Sequence, residues 1–101
     1  MVEHGLTFTV TEEAGRTVVS IAGEIDLATS SSLGECLEAH AGIVVIDLAK
    51  VTFIDSSGLG VLVRERKRVR SRSGDLRLRA PQDHVRRVFE VTGLSELLED
   101  S

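Results

Sequence analysis

The sequence has little of what usually identifies an enzyme, a metalloprotein or a secreted domain. Its one cysteine, Cys36, cannot form an internal disulfide. Its three histidines, His4, His40 and His84, lack the spacing of a metal site, so we predict that each is a surface or hydrogen-bonded histidine. No apolar run approaches the ~18 residues of a membrane span, and the N-terminus lacks the pattern of a secretory signal. We therefore expect a cytoplasmic protein with no membrane contact, no metal and no cofactor.

Aromatic residues are also scarce, with three Phe and neither Tyr nor Trp, so the core must be built from Val, Leu and Ile. The 101 residues suffice for a single domain, residues 1–101, and hydrophobic residues make up 42% of them. A chain of this length has little volume for a deep substrate cavity. We therefore expect a binding protein rather than an enzyme.

Charge is distributed unevenly along the chain. The net charge is −4, but residues 1–50 contain two basic residues against eight acidic ones, whereas residues 51–101 contain ten against eight. An acidic total argues against general nucleic-acid binding. The asymmetry favours a charged protein partner.

Hydrophobic periodicity in the first half predicts two strands, a helix and a buried strand. Leu6–Val10 and Thr17–Ala22 flank a turn at residues 12–15, which predicts a hairpin. Thr29 or Ser30 is placed to begin a helix that places Leu33 and Leu37 on one face. The nearly continuous apolar run Ile43–Leu48 predicts a strand covered on both faces and parallel to a neighbour, and Val51–Ile54 is a separate short apolar stretch.

The second half predicts a further helix, strand and helix. A helix is expected over residues 57–71, with Leu59, Leu62, Val63, Arg66 and Val69 on its inner stripe. Residues 75–79 alternate as a strand, Pro81 begins a third helix, and Gly93 ends it. The expected fold is α/β: a mixed, mostly parallel sheet of about four or five strands against three or four helices, with the first two strands as a hairpin. Because the chain is short, the helices should lie on one face.

The segment from Asp55 to Gly60, with the sequence DSSGLG, is the strongest candidate for a functional site. Asp55, Ser56 and Ser57 are capping residues at a strand-to-helix junction, where their side chains can accept hydrogen bonds from free N–H groups. Gly58 and Gly60 leave little side-chain cover, so the backbone of another molecule could approach closely.

A phosphate on a serine at this junction would lie near a helix N-terminus, whose partial positive charge favours anions. Phosphorylation would therefore cost the fold little, yet a partner docked on the turn would face an added charge of about −1.5 to −2. The residues alone slightly favour a plain helix cap without a switching role.

Three motifs together resemble the STAS domain of bacterial anti-sigma factor antagonists. They are the GEID segment at residues 23–26, the DSSGLG segment, and the VTGL segment at residues 91–94, in the order that the family shows. The resemblance covers about residues 5–98. It implies a mixed sheet with helices packed against it.

The resemblance also implies a function, called partner switching. The unmodified protein binds an anti-sigma factor that is also a serine kinase, and so frees a sigma factor. Phosphorylation by the kinase separates the complex, and a phosphatase resets it. The implied phosphorylated residue is Ser56, with Ser57 as the alternative. Asp26 matches an acidic residue that meets a basic side chain of the partner, although it could also be only a helix-entry cap.

Other features have simpler interpretations. The run from Arg64 to Arg72 contains six basic residues and one acid, and could meet an acidic partner or nucleic acid, but is more typical of a solvated helix face. Cys36 is expected to be a small buried hydrophobe. Asp47 is expected at a strand end, in a turn.

Two other function classes are compatible with parts of the pattern. A STAS module could serve as an accessory or scaffold subunit of a transporter or a stress-signalling complex, since one fold supports several roles. A small enzyme or nucleotide-binding domain is disfavoured, because no nucleophile and base are paired and residues 58–60 lack the lysine of a phosphate-binding loop. The simplest oligomeric state is a monomer that exchanges partners.

Overall fold

The computed structural model describes residues 2–3 and 5–99, and its centre is a five-stranded mixed sheet. The strands lie side by side in chain order: β1 (Val2–Glu3), β2 (Leu6–Glu13), β3 (Arg16–Ile25), β4 (Ile43–Ile54) and β5 (Asp75–Arg79). The pairs β1–β2 and β2–β3 are antiparallel, whereas β3–β4 and β4–β5 are parallel. The helices are α1 (Ser30–Glu38), α2 (Ser56–Arg70) and α3 (Asp83–Val91), followed by a 3₁₀ turn (Ser95–Leu97). The α/β fold predicted from the sequence is confirmed, and His4 lies outside the described residues.

The hairpin between β2 and β3 closes through two residues. Ala14 and Gly15 have φ angles of 52° and 80°, and Glu13 pairs with Arg16 directly beyond them. Two consecutive positive φ angles are typical of the hairpin turns whose twist matches that of the strands. The predicted hairpin is therefore confirmed.

Strand β4 is longer than its hydrophobic pattern predicts. Val51–Ile54 is not a separate stretch, because one strand runs from Ile43 to Ile54. Its pairing with β3 shifts register twice, between Ser20 and Ala22 and again between Gly23 and Glu24. Each shift leaves an extra residue on β4, and such bulges interrupt the alternation of side chains. Asp47 consequently lies within the strand, so the prediction of a strand-end position was wrong.

The three helices share one face of the sheet. The buried side chains of all three join a single apolar cluster, to which each strand from β2 to β5 also contributes, with alternate residues where no bulge intervenes. Examples from the helices are Leu33, Leu37, Leu62, Val85 and Phe89. The helices therefore lie on one face of the sheet, as expected for a short chain.

The other face of the sheet is covered by arginines rather than by a helix. Val18 on β3 and Val45 on β4 are buried and pair with each other, and Val45 also pairs with Arg77 on β5. Arg79 donates from Nε to Asp47 at 3.1 Å and from Nη1 to Glu13 at 3.1 Å. Hydrogen bonding to Arg79 holds the pKa of the Glu13 carboxyl below its ordinary value.

Helix α3 begins at Asp83, two residues after Pro81, because Gln82 is still extended with ψ 156°. Its end matches the prediction for Gly93, which has φ 74°. The N–H of Leu94 donates to the carbonyl of Phe89 and the N–H of Gly93 to that of Glu90. This pair of bonds is the Schellman arrangement that ends many helices at a glycine.

A buried ion pair joins α2 to the end of α1. Leu59, Leu62 and Val69 are buried on α2 as predicted, but so is Glu65, whose side chain is 2% exposed. Arg68 donates from Nε to the Glu65 carboxylate at 2.8 Å. Its Nη2 donates to the carbonyls of Leu37 and His40. The ion pair therefore ties α2 to the backbone at the C-terminal end of α1, where the Leu37 carbonyl also accepts from the N–H of His40.

Replacing Glu65 should destabilise the fold through this contact. We expect Glu65→Ala to lower the free energy of unfolding by about 1–3 kcal/mol, because Arg68 loses its charged acceptor while retaining some access to water. Glu38→Ala, at an exposed position of α1, is the control and should change it by less than about 0.5 kcal/mol. Urea denaturation measures both, and equal stability of the two variants would contradict the assignment.

Candidate functional site

The candidate site lies where β3 and β4 end. Ile25 and Ile54 pair at the ends of these parallel strands, and Asp26 and Asp55 follow them directly. The N–H of Asp55 donates to the carbonyl of Ile25 at 3.1 Å, which extends the contact by one residue. The GEID and DSSGLG segments, 29 residues apart between their two aspartates, are thereby brought to one edge of the sheet.

Asp55 is the N-cap of α2. Its backbone is extended, and its Oδ1 accepts from the N–H of Ser57 at 2.9 Å and from that of Gly58 at 3.3 Å. Its carbonyl accepts from the N–H of Leu59 at 3.0 Å. The side-chain bonds satisfy the N–H groups of Ser57 and Gly58, which have no acceptor within the helix, and the carbonyl bond is the first bond of the helix itself. The capping role predicted for this segment belongs to Asp55, and neither serine is required for it.

The remaining residues of the segment divide into an outward and an inward set. Ser56 is exposed, Ser57 is half-buried and Gly60 is exposed. Gly58 and Leu59 are buried. A molecule approaching the N-terminus of α2 therefore meets Ser56, Gly60 and part of Ser57.

Gly58 makes room for residues of the same chain. A Cβ atom at this position would lie 2.4 Å from Cγ2 of Ile25 and 3.0 Å from Cγ1 of Ile54. The first helical turn therefore packs directly on the two strand ends. The sequence-based interpretation, in which Gly58 admits the backbone of a partner, was wrong. It fits Gly60, around which a Cβ would meet nothing within 4 Å.

Asp26 is fixed by reciprocal hydrogen bonds with Thr29. Its Oδ1 accepts from the Thr29 N–H at 3.1 Å, and its own N–H donates to Thr29 Oγ1 at 2.9 Å. The Thr29 hydroxyl donates to the carbonyl of Glu24 at 2.9 Å. Asp26 therefore shapes the entry to α1, as its simpler interpretation predicted. It is also half-buried beside a cavity of about 270 Å³, whose lining includes Glu24 and Thr52.

Two exposed apolar side chains near this edge were missed by sequence reasoning. Leu27, directly after Asp26, is 78% exposed, and Phe53 is 44% exposed beside Glu24 in the strand register. Exposed large apolar residues next to charged ones are frequent at protein interfaces. The sequence signal that could have identified Phe53 was its position two residues before Asp55, at a helix cap.

The chain is similar in sequence to known proteins. The sequence model of the STAS domain matches residues 7–100. The chain belongs to the STAS domain family. The anti-sigma-B factor antagonist of Listeria monocytogenes is 44% identical over 85 residues, which cover 80% of this chain and 75% of the relative.

Two solved structures share the fold. The crystal structure of an anti-sigma factor antagonist from Mycobacterium paratuberculosis has a TM-score of 0.83 and 29% identity, covering 97% of this chain and 86% of the other. The Bacillus cell fate determinant SpoIIAA, in its phosphorylated form, has a TM-score of 0.69 and 19% identity, covering 91% and 88%. At that identity, the second likeness concerns the fold alone. The STAS resemblance recognised from three short motifs is confirmed.

The basic run of this STAS domain is only partly a free surface. Arg66 is 11% exposed and lies within 4 Å of Asp75 and Glu96, and Arg68 is bonded to Glu65 as described above. Lys67 and Arg70 are exposed. The prediction of a solvated helix face is therefore correct for some members and wrong for Arg68, whereas the low exposure of Arg66 agrees with its predicted place on the inner stripe of α2.

The candidate site does not include Cys36, His40 or His84. Cys36 is half-buried in a groove between β2 and α1, and burial raises the pKa of its thiol. His84 is exposed with its Nε2 2.6 Å from the carbonyl of Thr52, and His40 is half-buried. Within the described residues, no helix of the STAS domain is long and apolar enough to cross a bilayer.

The two glycines of α2 give a matched pair for testing this packing. We expect Gly58→Ala to lower the free energy of unfolding by about 1–3 kcal/mol, because its methyl group overlaps Ile25. Gly60→Ala should instead raise it by roughly 0.5–1 kcal/mol, because alanine favours the helix and meets no neighbour. Thermal or urea unfolding measures both, and a neutral Gly58→Ala would refute the close contact.

Proposed function

We propose that this STAS domain is an anti-sigma factor antagonist whose binding is switched off by phosphorylation of Ser56. The observation that carries the proposal is an exposed Ser56 on the first turn of α2, beside a cap that Asp55 supplies. The 44% identity to an anti-sigma-B factor antagonist supports the same role. The partner is an anti-sigma factor with serine kinase activity, and a phosphatase restores the unmodified form. The protein acts as a binding partner in the cytoplasm, as a monomer, and not as an enzyme.

Exposure favours Ser56 over Ser57 as the phosphorylated residue. A kinase must bring the hydroxyl to a phosphoryl group in its own active site, which an exposed first-turn side chain permits. Ser57 is half-buried, and its N–H is bonded to Asp55. A kinase would have to disturb this turn to reach its hydroxyl.

The same position explains why a phosphate would separate a complex without unfolding the protein. The N-terminus of α2 carries a partial positive charge, which favours the new anion. The neighbouring Asp55 carboxylate repels it, so the two effects partly cancel in the free protein. In a complex the phosphate would also lose its water, and a charge without a partner is costly to bury. The partner-contact region comprises Asp26, Asp55, Ser56, Ser57 and Gly60, while Gly58 and Leu59 support it from below.

Phosphorylation can be tested directly by mass spectrometry after incubation with ATP and an anti-sigma kinase. We expect wild type to gain one phosphate, Ser56→Ala to gain none, and the control Ser57→Ala to behave as wild type. Loss of the phosphate in Ser57→Ala alone would move the site to Ser57. No phosphate on any of the three proteins would reject the proposal.

A charge mimic separates binding from folding. We expect Ser56→Asp to change the free energy of unfolding by less than about 1 kcal/mol, because the carboxylate meets a helix N-terminus. Its affinity for the anti-sigma factor should fall by more than about a hundredfold, which corresponds to ~3 kcal/mol. Calorimetric titration measures the affinity, with Ser56→Asn as the uncharged control of similar size. Equal affinities of the Asp and Asn variants would show that charge is not the cause.

A further inference from the structure

One side of α2 continues from Ser56 towards the C-terminal end of the helix. Ser56, Gly60, Val63, Lys67 and Arg70 follow each other at spacings of four, three, four and three residues, so they lie on one helix face. We call this set the α2 ridge. The N-terminal half of the α2 ridge has little side-chain volume, because only the hydroxymethyl group of Ser56 and Gly60 cover the backbone there.

The C-terminal half of the α2 ridge borders a groove of about 160 Å³. The other wall is the segment that follows α3. The groove has an apolar part, formed by Val63, Leu94 and Leu97, and a charged rim, formed by Arg66, Lys67, Arg70 and Glu96.

The rim has cationic charge available for a partner. Among the described residues, no carboxylate lies within 4 Å of Lys67, which is exposed. Arg70 is 56% exposed, and its Nε is 3.8 Å from Asp75, which also pairs with Arg66. Lys67 therefore flanks the apolar part with no carboxylate among the described residues within 4 Å, and Arg70 shares the single carboxylate of Asp75 with Arg66.

We propose that this groove binds an acidic, amphipathic segment of a protein partner, with an apolar side chain against Val63 and Leu94 and carboxylates on Lys67 and Arg70. Charge complementarity and the apolar floor define the occupant. Nucleic acid fits less well, because the chain carries a net charge of −4 and the groove lining has no aromatic side chain for base stacking. That the segment belongs to the same anti-sigma factor rests on the proposed function, and follows from the continuity of the α2 ridge with Ser56.

A synthetic helical peptide tests the groove without the anti-sigma factor. The probe carries leucines on one face and flanking glutamates, and its control carries lysines in place of the glutamates. We expect the glutamate peptide to shift the amide resonances of Val63, Lys67 and Leu94 saturably, with a Kd below about 1 mM, and the lysine peptide to leave them unchanged. No shift with either peptide, or stronger binding of a single-stranded oligonucleotide, would overturn the proposal.

Charge reversal at Lys67 tests the contribution of the rim. We expect Lys67→Glu to weaken binding of the glutamate peptide about tenfold at low salt, with the difference shrinking as salt rises. Arg87→Glu, at an exposed position of α3 outside the groove, makes the same change in net charge and should have less than about a twofold effect. Equal weakening by both variants would mean that only net charge matters, which would also overturn the proposal.

These two charge-reversal variants, together with Ser56→Asp, then report on binding of the anti-sigma factor. If the proposed function and this inference both hold, Ser56→Asp and Lys67→Glu each weaken its binding, and Arg87→Glu does not. If wild type binds the glutamate peptide but no anti-sigma kinase, the proposed function fails and the groove stands. If Ser56→Asp weakens the complex and Lys67→Glu does not, the groove is not part of that interface and this inference fails.

Discussion

The close packing of the first turn of α2 on the ends of β3 and β4 is the contact on which the rest of the site depends. Gly58 permits it, because any side chain there would overlap Ile25. The ends of β3 and β4, which are distant in sequence, both pack against the first turn of α2. The N–H of Asp55 donates to the carbonyl of Ile25. The positions of Asp26, Ser56 and the exposed Leu27 and Phe53 all follow from this arrangement.

The two carboxylates at the candidate site interact with backbone groups close to them in sequence. Asp55 and Asp26 each use a carboxylate oxygen to hold backbone N–H groups, so these charges stabilise the turns that enter α2 and α1. Many of the cations lie elsewhere, including Lys67 and Arg70 on the C-terminal half of α2 and Arg77 and Arg79 on the face of the sheet opposite the helices. The uneven charge noted in the sequence thus becomes an acidic sheet edge and a basic helix end.

Much of the fold could be predicted because its signals are local. The β2–β3 hairpin, the cap at Asp55 and the glycine that ends α3 each depend on a few adjacent residues, although the hairpin turn is shorter, at residues 14–15, than the turn predicted at residues 12–15. The length of β4 could not be predicted, because two bulges break its alternation and their cause is pairing with β3. The burial of Glu65 was hidden for a similar reason: its partner Arg68 is nearby, but the carbonyls that complete the contact belong to α1. At the candidate site, the DSSGLG segment predicted the turn into α2, but only the packing against Ile25 distinguishes the buried Gly58 from the exposed Gly60.

The division of work between Asp55 and Ser56 has an evolutionary consequence. Because Asp55 alone caps the N-terminus of α2, the hydroxyl of Ser56 is not needed for capping. Substitutions at position 56 should therefore cost the fold little, while position 55 is constrained by stability. Paralogous copies of such a domain in one cell could diverge at the outward positions, acquiring separate partners, without first having to find a new way to fold.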